Sequence, residues 1–123
     1  MIQLVECPRD AMQGFENFIP TNLKAEYINT LLKVGFHTID FGSFVSPKAI
    51  PQMRDTAEVL SKLNLEGSSS KLLAIVANSR GAEQAASFSE IQYLGYPFSV
   101  SEVFQKRNTN RTIEDSLILV DRM

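Results

Sequence analysis

The sequence predicts an α/β fold built on a parallel sheet, and three observations support this. Strand-like and helix-like segments alternate four times along the 123 residues. The connections are long enough for the crossovers that join parallel neighbours. Apolar residues make up 44% of the chain and charged residues 21%, as in a folded domain with a core. We therefore expect four βα units over residues 1–123.

The first unit combines a short strand with an amphipathic helix. Residues 2–7 are mostly apolar and end at Pro8, which favours a strand that stops there, and a loop is predicted from there to Pro20. Thr21 is a good N-cap residue, and Gly35 is placed to end the helix. The apolar residues that share one stripe of this helix are Leu23, Tyr27, Ile28, Leu31 and Leu32.

The later units repeat this pattern. Strands are predicted at residues 36–41, 71–78 and 90–99, and helices at residues 53–63, at residues 80–87 and after Thr112. The third strand is continuously apolar, which is typical of a strand buried on both faces. A long loop is predicted before Thr112, which forms a capping-box pattern with Asp115. The last helix has neither a glycine stop nor a following strand, so we expect a truncated chain.

Charge and cysteine content restrict the function classes. Twelve basic and fourteen acidic residues give a net charge of −2, which provides no basic field for nucleic acid or anionic lipid. No apolar run approaches the roughly 20 residues of a membrane-spanning helix. The single cysteine cannot form an internal disulfide, so the expected compartment is the reducing cytoplasm.

Polar residues follow the predicted strands at their carboxyl ends, where barrels and open parallel sheets gather functional groups. They are Arg9, Asp10 and Gln13 after the first strand, Asp40 and Ser43 after the second, Asn78 after the third, and residues 99–102 after the fourth. An Arg-Asp pair on its own more often orders a loop. We interpret His37 as structural and Cys7 as a partly buried, non-catalytic thiol.

Four segments, in order, resemble the amino-terminal half of the 3-hydroxy-3-methylglutaryl-CoA lyase family. They are VECPRDAMQ (5–13), IPTNLKAEYINTL (19–31), SFVSPKAIPQM (43–53) and SEVFQKRNTNRTIEDS (101–116). That family folds as a (β/α)8 TIM barrel and uses a divalent cation to cleave 3-hydroxy-3-methylglutaryl-CoA into acetyl-CoA and acetoacetate. The resemblance implies that residues 1–123 are the N-terminal half of such a lyase domain, with four of the eight βα units.

The resemblance also implies site roles. Asp10 would be a carboxylate ligand to Mg²⁺ or Mn²⁺, and Arg9 would stabilise the enolate oxygen that develops as the carbon–carbon bond breaks. Gln13 would support that pair, and Asp40 stands where the family has a glutamate. The predicted substrate-binding residues are Ser43, which matches a family serine, Asn78 at the third strand end, and Lys106 and Asn108, which would meet the phosphates of an acyl-CoA unless they are a solvated loop cluster.

Departures from the family pattern keep other functions open. Cys7 replaces a glycine, Phe41 and Gly42 replace two threonines, and the family's metal-binding histidines and catalytic cysteine belong to the second half. We therefore expect the isolated chain to be inactive, and to form a homo-oligomer or associate with a missing half. The activity that the resemblance implies is that of the family or of a related acyl-CoA lyase or aldolase. The alternatives are a degenerate, non-catalytic half-barrel for assembly or ligand binding, and a complete small doubly wound domain.

Overall fold

The computed structural model describes all residues 1–123. Its strands are β1 (Val5–Glu6), β2 (Thr38–Ser43), β3 (Lys71–Ile75) and β4 (Ile91–Gly95). Its helices are α1 (Pro8–Gln13), α2 (Thr21–Leu32), α3 (Thr56–Leu60), α4 (Ser79–Ala86), α5 (Glu102–Thr109) and α6 (Ile113–Asp121), and a 3-10 turn covers Pro51–Met53. Strands and helices alternate, so the predicted α/β class is confirmed.

The four strands form one parallel sheet in the order β1-β2-β3-β4. Val5 pairs with Thr38, Thr38 with Lys71, and Leu72 with Ile91. Each strand lies beside the next one in the chain, and the order never reverses. A doubly wound sheet has a reversal at its topological switch point, so this order is that of consecutive barrel units and contradicts the alternative of a complete doubly wound domain.

The core lies between the sheet and its helices. Its fifteen buried apolar residues are Met12, Ala25, Ile28, Leu32, Ile39, Phe41, Phe44, Met53, Val59, Leu60, Leu72, Ala74, Val76, Ala82 and Ala85. Of the stripe predicted on α2, Ile28 and Leu32 are buried, but Leu23 and Tyr27 are exposed. The buried face of α2 is therefore rotated from the predicted one, and it includes Ala25 and Lys24.

Two segments predicted as loops are helical. Residues 8–13 form α1, because a proline is compatible with the first turn of a helix, where its missing N–H is not needed. Residues 102–109 form α5, which Ser101 caps by accepting a hydrogen bond from the Phe104 amide. The predicted capping box of α6 is confirmed, with Thr112 and Asp115 each accepting from the other's backbone N–H.

Other expected details also differ. The predicted 53–63 helix is shortened to α3, which the 3-10 turn precedes. Thr21 is the first residue of α2 and not its cap, and its hydroxyl donates to Asp55 Oδ2 at 2.8 Å.

The burial of β3 also differs from the prediction. Leu72 and Ala74 are buried, while Leu73 and Ile75 are half-buried. The expectation of burial on both faces was wrong for β3, in which one face stays partly accessible, whereas all six residues of β2 are buried.

The β2 strand is irregular at its carboxyl end. Its register with β3 shifts between Asp40 and Gly42, so that Phe41 lacks a partner. A Cβ added at Gly42 would lie 2.5 Å from Cγ2 of Thr56. Only glycine therefore fits at this position while Thr56 keeps its place, and the Thr56 hydroxyl accepts from the Ser43 amide at 3.1 Å.

Candidate functional site

The carboxyl ends of β1 and β2 bring Arg9 against Asp40. Arg9 Nε donates to both carboxylate oxygens of Asp40 at 3.1 Å, and Nη2 donates to Oδ2 at 2.6 Å. The two residues are 31 positions apart in the chain, and the parallel pairing of their strands makes the contact possible. A guanidinium held by a carboxylate in this forked geometry has a fixed orientation.

The other end of the guanidinium contacts Asp10 and Gln13. Arg9 Nη1 donates to Gln13 Oε1 at 3.0 Å and to Asp10 Oδ1 at 3.2 Å. Gln13 lies four residues after Arg9, so the helical spacing of α1 places both side chains on one face. Gln13 Nε2 also donates to Asp10 Oδ1 at 3.5 Å. Four of the residues predicted for the strand ends therefore form one cluster, here called the Arg9 cluster: Arg9, Asp10, Gln13 and Asp40.

Burial separates the roles within the Arg9 cluster. The side chain of Asp40 is 6% exposed and that of Arg9 is 15% exposed, whereas that of Asp10 is 67% exposed. Burial alone lowers the pKa of Arg9, but the hydrogen bond to Asp40 and the charges of Asp40 and Asp10 outweigh it, so the pKa is raised. Arg9 is therefore a permanent cation with its carboxylate partner beneath it and Asp10 facing solvent.

Cys7 lies at the edge of the Arg9 cluster. It precedes α1 and is exposed, so the expectation of a partly buried thiol was wrong. Desolvation raises the pKa of the Cys7 thiol, the charge of Asp40 raises it further, and the charge of Arg9 opposes the change. The thiol is therefore held in its protonated, weakly nucleophilic form at neutral pH.

Asp10 is the residue of the cluster that suits a divalent cation. Its Oδ1 accepts from Arg9 and Gln13, and its exposed carboxylate is a hard oxygen donor of the kind that Mg²⁺ and Mn²⁺ prefer. The chain contains no group of three His, Cys, Asp or Glu side chains arranged to hold a metal. Asp10 therefore fits as one ligand of a cation site and does not form such a site by itself.

Ser43 and Asn78 both use their side chains within the fold. Ser43 is 2% exposed; its hydroxyl donates to the Ile75 carbonyl at 3.3 Å and accepts from the Val45 amide at 3.3 Å. Asn78 precedes α4 and accepts from the Gly81 amide at 2.8 Å, which caps the helix. Both residues do lie at the carboxyl ends of their strands, as predicted, but neither bonds to the Arg9 cluster.

Lys106 and Asn108 lie on α5 and not in a loop. Both are exposed, and Lys106 pairs with Glu102 at 3.4 Å one helical turn away. The other carboxylate oxygen of Glu102 accepts from the Ile113 amide at 3.0 Å, which joins α5 to the start of α6. Neither Lys106 nor Asn108 forms a hydrogen bond or an ion pair with the Arg9 cluster.

The sequence patterns did not indicate a buried polar network that lies beside the site. Gln52 is 4% exposed and its amide bonds to three backbone groups of the loop after α1. Lys24 is 2% exposed; it donates to the Gln52 carbonyl and pairs with Asp55 at 2.7 Å. One signal was available, because Lys24 lies four residues before the buried Ile28 and therefore on the buried face of α2.

No helix of the structure is both long enough and apolar enough to cross a membrane. This agrees with the absence of a long apolar run in the sequence.

Comparisons with known proteins find hydroxymethylglutaryl-CoA lyases as relatives of this chain. The mitochondrial hydroxymethylglutaryl-CoA lyase of Gallus gallus is 38% identical over 118 residues, which are 94% of this chain and 39% of that protein. The cytoplasmic 3-hydroxy-3-methylglutaryl-CoA lyase of Rattus norvegicus is 36% identical over 119 residues, 94% of this chain and 34% of that protein. No family model matches the chain.

A solved structure matches the fold. The HMG-CoA lyase of Acinetobacter baumannii, in complex with coenzyme A and 3-methylmalate, superposes with a TM-score of 0.91 at 31% identity. The match covers 99% of this chain and 40% of that one. The resemblance to the 3-hydroxy-3-methylglutaryl-CoA lyases and the barrel-type arrangement of βα units are confirmed. The chain spans a quarter to two fifths of the length of the curated relatives it matches.

Proposed function

We propose that this chain supplies the Arg9 and Asp10 part of the active site of a divalent-metal-dependent carbon–carbon lyase. The observation that carries the proposal is the Arg9 cluster, in which a fixed guanidinium lies beside an exposed carboxylate at the carboxyl ends of parallel strands. The reaction is the cleavage of 3-hydroxy-3-methylglutaryl-CoA, or of a related acyl-CoA, to acetyl-CoA and a keto acid.

The chemistry of Arg9 follows from its donors. In this cleavage the C3 hydroxyl loses its proton and becomes a ketone, the bond between C2 and C3 breaks, and its electron pair passes to the thioester as an enolate, which is then protonated at carbon. Nε and Nη1 are used by Asp40, Asp10 and Gln13, and one N–H of Nη2 remains without a protein acceptor. That N–H is available to the enolate oxygen, because Asp40 holds the guanidinium in one orientation.

Asp10 would hold Mg²⁺ or Mn²⁺ together with ligands from outside these 123 residues. When bound, such a cation would supply Lewis-acid stabilisation of the negative charge that develops on oxygen. Within this chain, Gln13 orients Asp10 through its 3.5 Å contact and leaves the outer side of the carboxylate towards solvent. The isolated chain is expected to be inactive, because the exposed Asp10 has no partner ligands.

Substrate contacts are proposed for the remaining predicted residues. Lys106 and Asn108 on α5 would meet the phosphates of an acyl-CoA, and Asn78 and Ser43 would line the strand ends. The coenzyme A in the complex of the Acinetobacter baumannii relative supports this class of ligand. We propose a cytoplasmic protein, although relatives from mitochondria and from the cytoplasm are both known.

A chimera tests the proposal. The segment of the Gallus gallus lyase that matches this chain is replaced by residues 1–123, and acetoacetate formation from 3-hydroxy-3-methylglutaryl-CoA is measured with Mg²⁺ or Mn²⁺. We expect turnover in the chimera. Arg9→Lys removes the forked donor geometry and is expected to lower kcat about 100-fold while cation affinity is retained.

The control is Arg122→Lys, an exposed arginine at the end of α6 that should leave kcat unchanged. Unchanged turnover in Arg9→Lys would contradict the role of Arg9. A folded chimera without any turnover would contradict the lyase proposal and favour the non-catalytic module.

A further inference from the structure

We propose that Gln52 is a positioning residue, which holds the loop after α1 in place and thereby fixes the Arg9 cluster. This inference depends on the proposed function only for the chemical role of the Arg9 cluster. The hydrogen bonds and packing contacts of Gln52 support the rest of it. The residues concerned are the 3-10 turn Pro51–Met53, the loop 14–20 and the buried part of α2.

Gln52 uses its side-chain amide fully on the loop. Its Oε1 accepts from the Ile19 amide at 2.9 Å, and its Nε2 donates to the carbonyls of Asn17 at 3.0 Å and Phe15 at 3.2 Å. The three backbone groups span five residues of one loop. An amide side chain that matches two acceptors and one donor in a buried place defines a single loop conformation.

A second layer holds Gln52 itself. The ammonium of Lys24 donates to the Gln52 backbone carbonyl and to Asp55 Oδ1, and it lies 4.1 Å from the ring centroid of Phe18. The guanidinium of Arg54 lies 3.6 Å from the centroid of the same ring. Phe18 belongs to the loop that Gln52 binds, so two cations hold the loop by its side chain while Gln52 holds it by its backbone.

Helix α1 needs such support from outside. It has six residues, its N-cap Cys7 makes no side-chain cap, and so short a helix is marginal on its own. It packs against β2 and against the 3-10 turn that contains Gln52. Pro8 and Met12 are its buried residues. The position of α1 is therefore set by packing at one side and by the loop that continues from Gln13.

The position of α1 decides the geometry of the Arg9 cluster. Arg9, Asp10 and Gln13 all lie on α1, whereas Asp40 lies on β2. A shift of α1 relative to β2 would lengthen the 2.6 Å contact between Arg9 and Asp40 and leave the contacts within α1 intact. Gln52 therefore acts on the contact that crosses from the helix to the sheet.

Cys7 provides a local probe, because it is the single cysteine of the chain and directly precedes α1. The rate of its reaction with a disulfide reagent is measured against pH in the 123-residue chain, with assembly state matched by sedimentation. In Gln52→Met, which keeps volume but removes all three hydrogen bonds, α1 moves away from Asp40, so the desolvation and the Asp40 charge that raise the pKa of the thiol both weaken. We expect the pH midpoint of the Cys7 reaction to fall by ~0.5 pH unit. The reaction at pH 7.5 would then be roughly threefold faster than in the unaltered chain.

The matched control is Gln105→Met. Gln105 is also a buried glutamine, 1% exposed, and it bonds to Pro97, Ser99, Thr109 and Ser116, away from α1. Gln105→Met should lower the free energy of unfolding about as much as Gln52→Met does. It should leave the pH midpoint of the Cys7 reaction unchanged. An unchanged midpoint in folded Gln52→Met, or an equal change in Gln105→Met, would overturn the proposal.

Hydrogen exchange of the unaltered chain covers the case in which Gln52→Met does not fold. The amides of Met12 and Gln13 in α1 are expected to exchange together with the Ile19 amide, as one opening unit. Exchange of the α1 amides at least tenfold faster than Ile19 would contradict the role of Gln52. Neither measurement uses turnover, so failure here is distinct from failure of the lyase proposal.

Discussion

At the scale of single residues, the Arg9–Asp40 contact is the feature on which the candidate site depends. Asp40 is almost fully buried and accepts three hydrogen bonds from one guanidinium. A buried carboxylate of this kind is tolerated because its charge is paired and its oxygens are bonded. Asp40 therefore serves to hold Arg9, and it reaches solvent far less than the neighbouring Asp10 does.

Neutralising Asp40 should make Cys7 more acidic. The negative charge of Asp40 raises the pKa of the thiol, and the charge of Arg9 lowers it. In Asp40→Asn the negative charge is lost and Arg9 remains, so the thiolate is stabilised and the pKa falls. The pH dependence of thiol labelling measures this change. Asp121→Asn, an acidic residue at the end of α6, is the control; a rise in the Asp40→Asn midpoint would refute the explanation.

The membership of the Arg9 cluster was predictable from the sequence, and its internal contacts were not. The carboxyl-end rule selected all four members because strand ends meet at one edge of a parallel sheet, but it also selected Ser43 and Asn78, which do not bond to the cluster. It could not show that Asp40 pairs with Arg9, since that depends on side-chain reach across two strands. It also gave no reason to select Gln52, whose partners are backbone groups that exist only in the folded loop.

At the scale of elements, α6 begins with a complete capping box. Thr112 Oγ1 accepts from the Asp115 amide at 2.9 Å, and Asp115 Oδ2 accepts from the Thr112 amide at 3.4 Å. The hydrogen bonds from Thr112 lower the pKa of Asp115, and the nearby charge of Arg111 adds to this. A group whose folded pKa is lowered stabilises the fold above its unfolded pKa, and this stabilisation is lost as the pH falls through the folded pKa.

Acid should therefore weaken α6 through Asp115. Between pH 6 and about 4 the contribution is constant, and below about pH 4 it is progressively lost. Circular dichroism of the chain from pH 6 to pH 2 measures the loss, and Asp115→Asn should remove this part of the acid sensitivity. Glu114→Gln, an exposed neighbour outside the box, should leave it in place. Equal acid profiles for Asp115→Asn and the unaltered chain would contradict the assignment.

The elements that sequence patterns missed are those with little apolar periodicity. Helix α5 buries only Gln105, a polar residue, so no apolar stripe indicated a helix. Helix α1 begins with a proline directly after a strand, and this signal was interpreted as a strand stop. The regions with clear periodicity or strong caps, such as α6 and the start of β2, lie close to where the sequence predicted them.

At the scale of the whole molecule, the sheet has two open edges. The strands β1 and β4 each pair on one side only, and unpaired edges can pair with other chains. Exposed apolar side chains lie in and near both edge strands: Ile2, Leu4 and Val5 at β1, and Tyr93, Leu94, Phe98 and Val100 at β4. A four-stranded parallel segment of this kind leaves both the strand edges and apolar surface available for association.

The 123-residue chain should therefore self-associate in solution. Two copies related by a two-fold axis along the strands would keep all strands parallel and could join β4 of each to β1 of the other. Sedimentation at tens of micromolar should detect dimers or larger species. Leu94→Lys at the β4 edge should weaken association, whereas Val34→Lys, an exposed apolar residue after α2, should not. A monodisperse monomer would contradict this expectation.

The close approach of Gly42 and Thr56 has an evolutionary consequence. The resemblance implies a threonine at position 42, but in this chain a Cβ at Gly42 would overlap Thr56, whose hydroxyl accepts from the Ser43 amide. Side chains at positions 42 and 56 therefore compete for the same space, and the size of one residue limits the size of the other. A lineage that carries a larger residue at position 42 must reduce or reorient the residue at position 56. The glycine is therefore explained by a steric limit where a strand meets a helix, and it belongs to the packing of the fold rather than to the chemistry of the site.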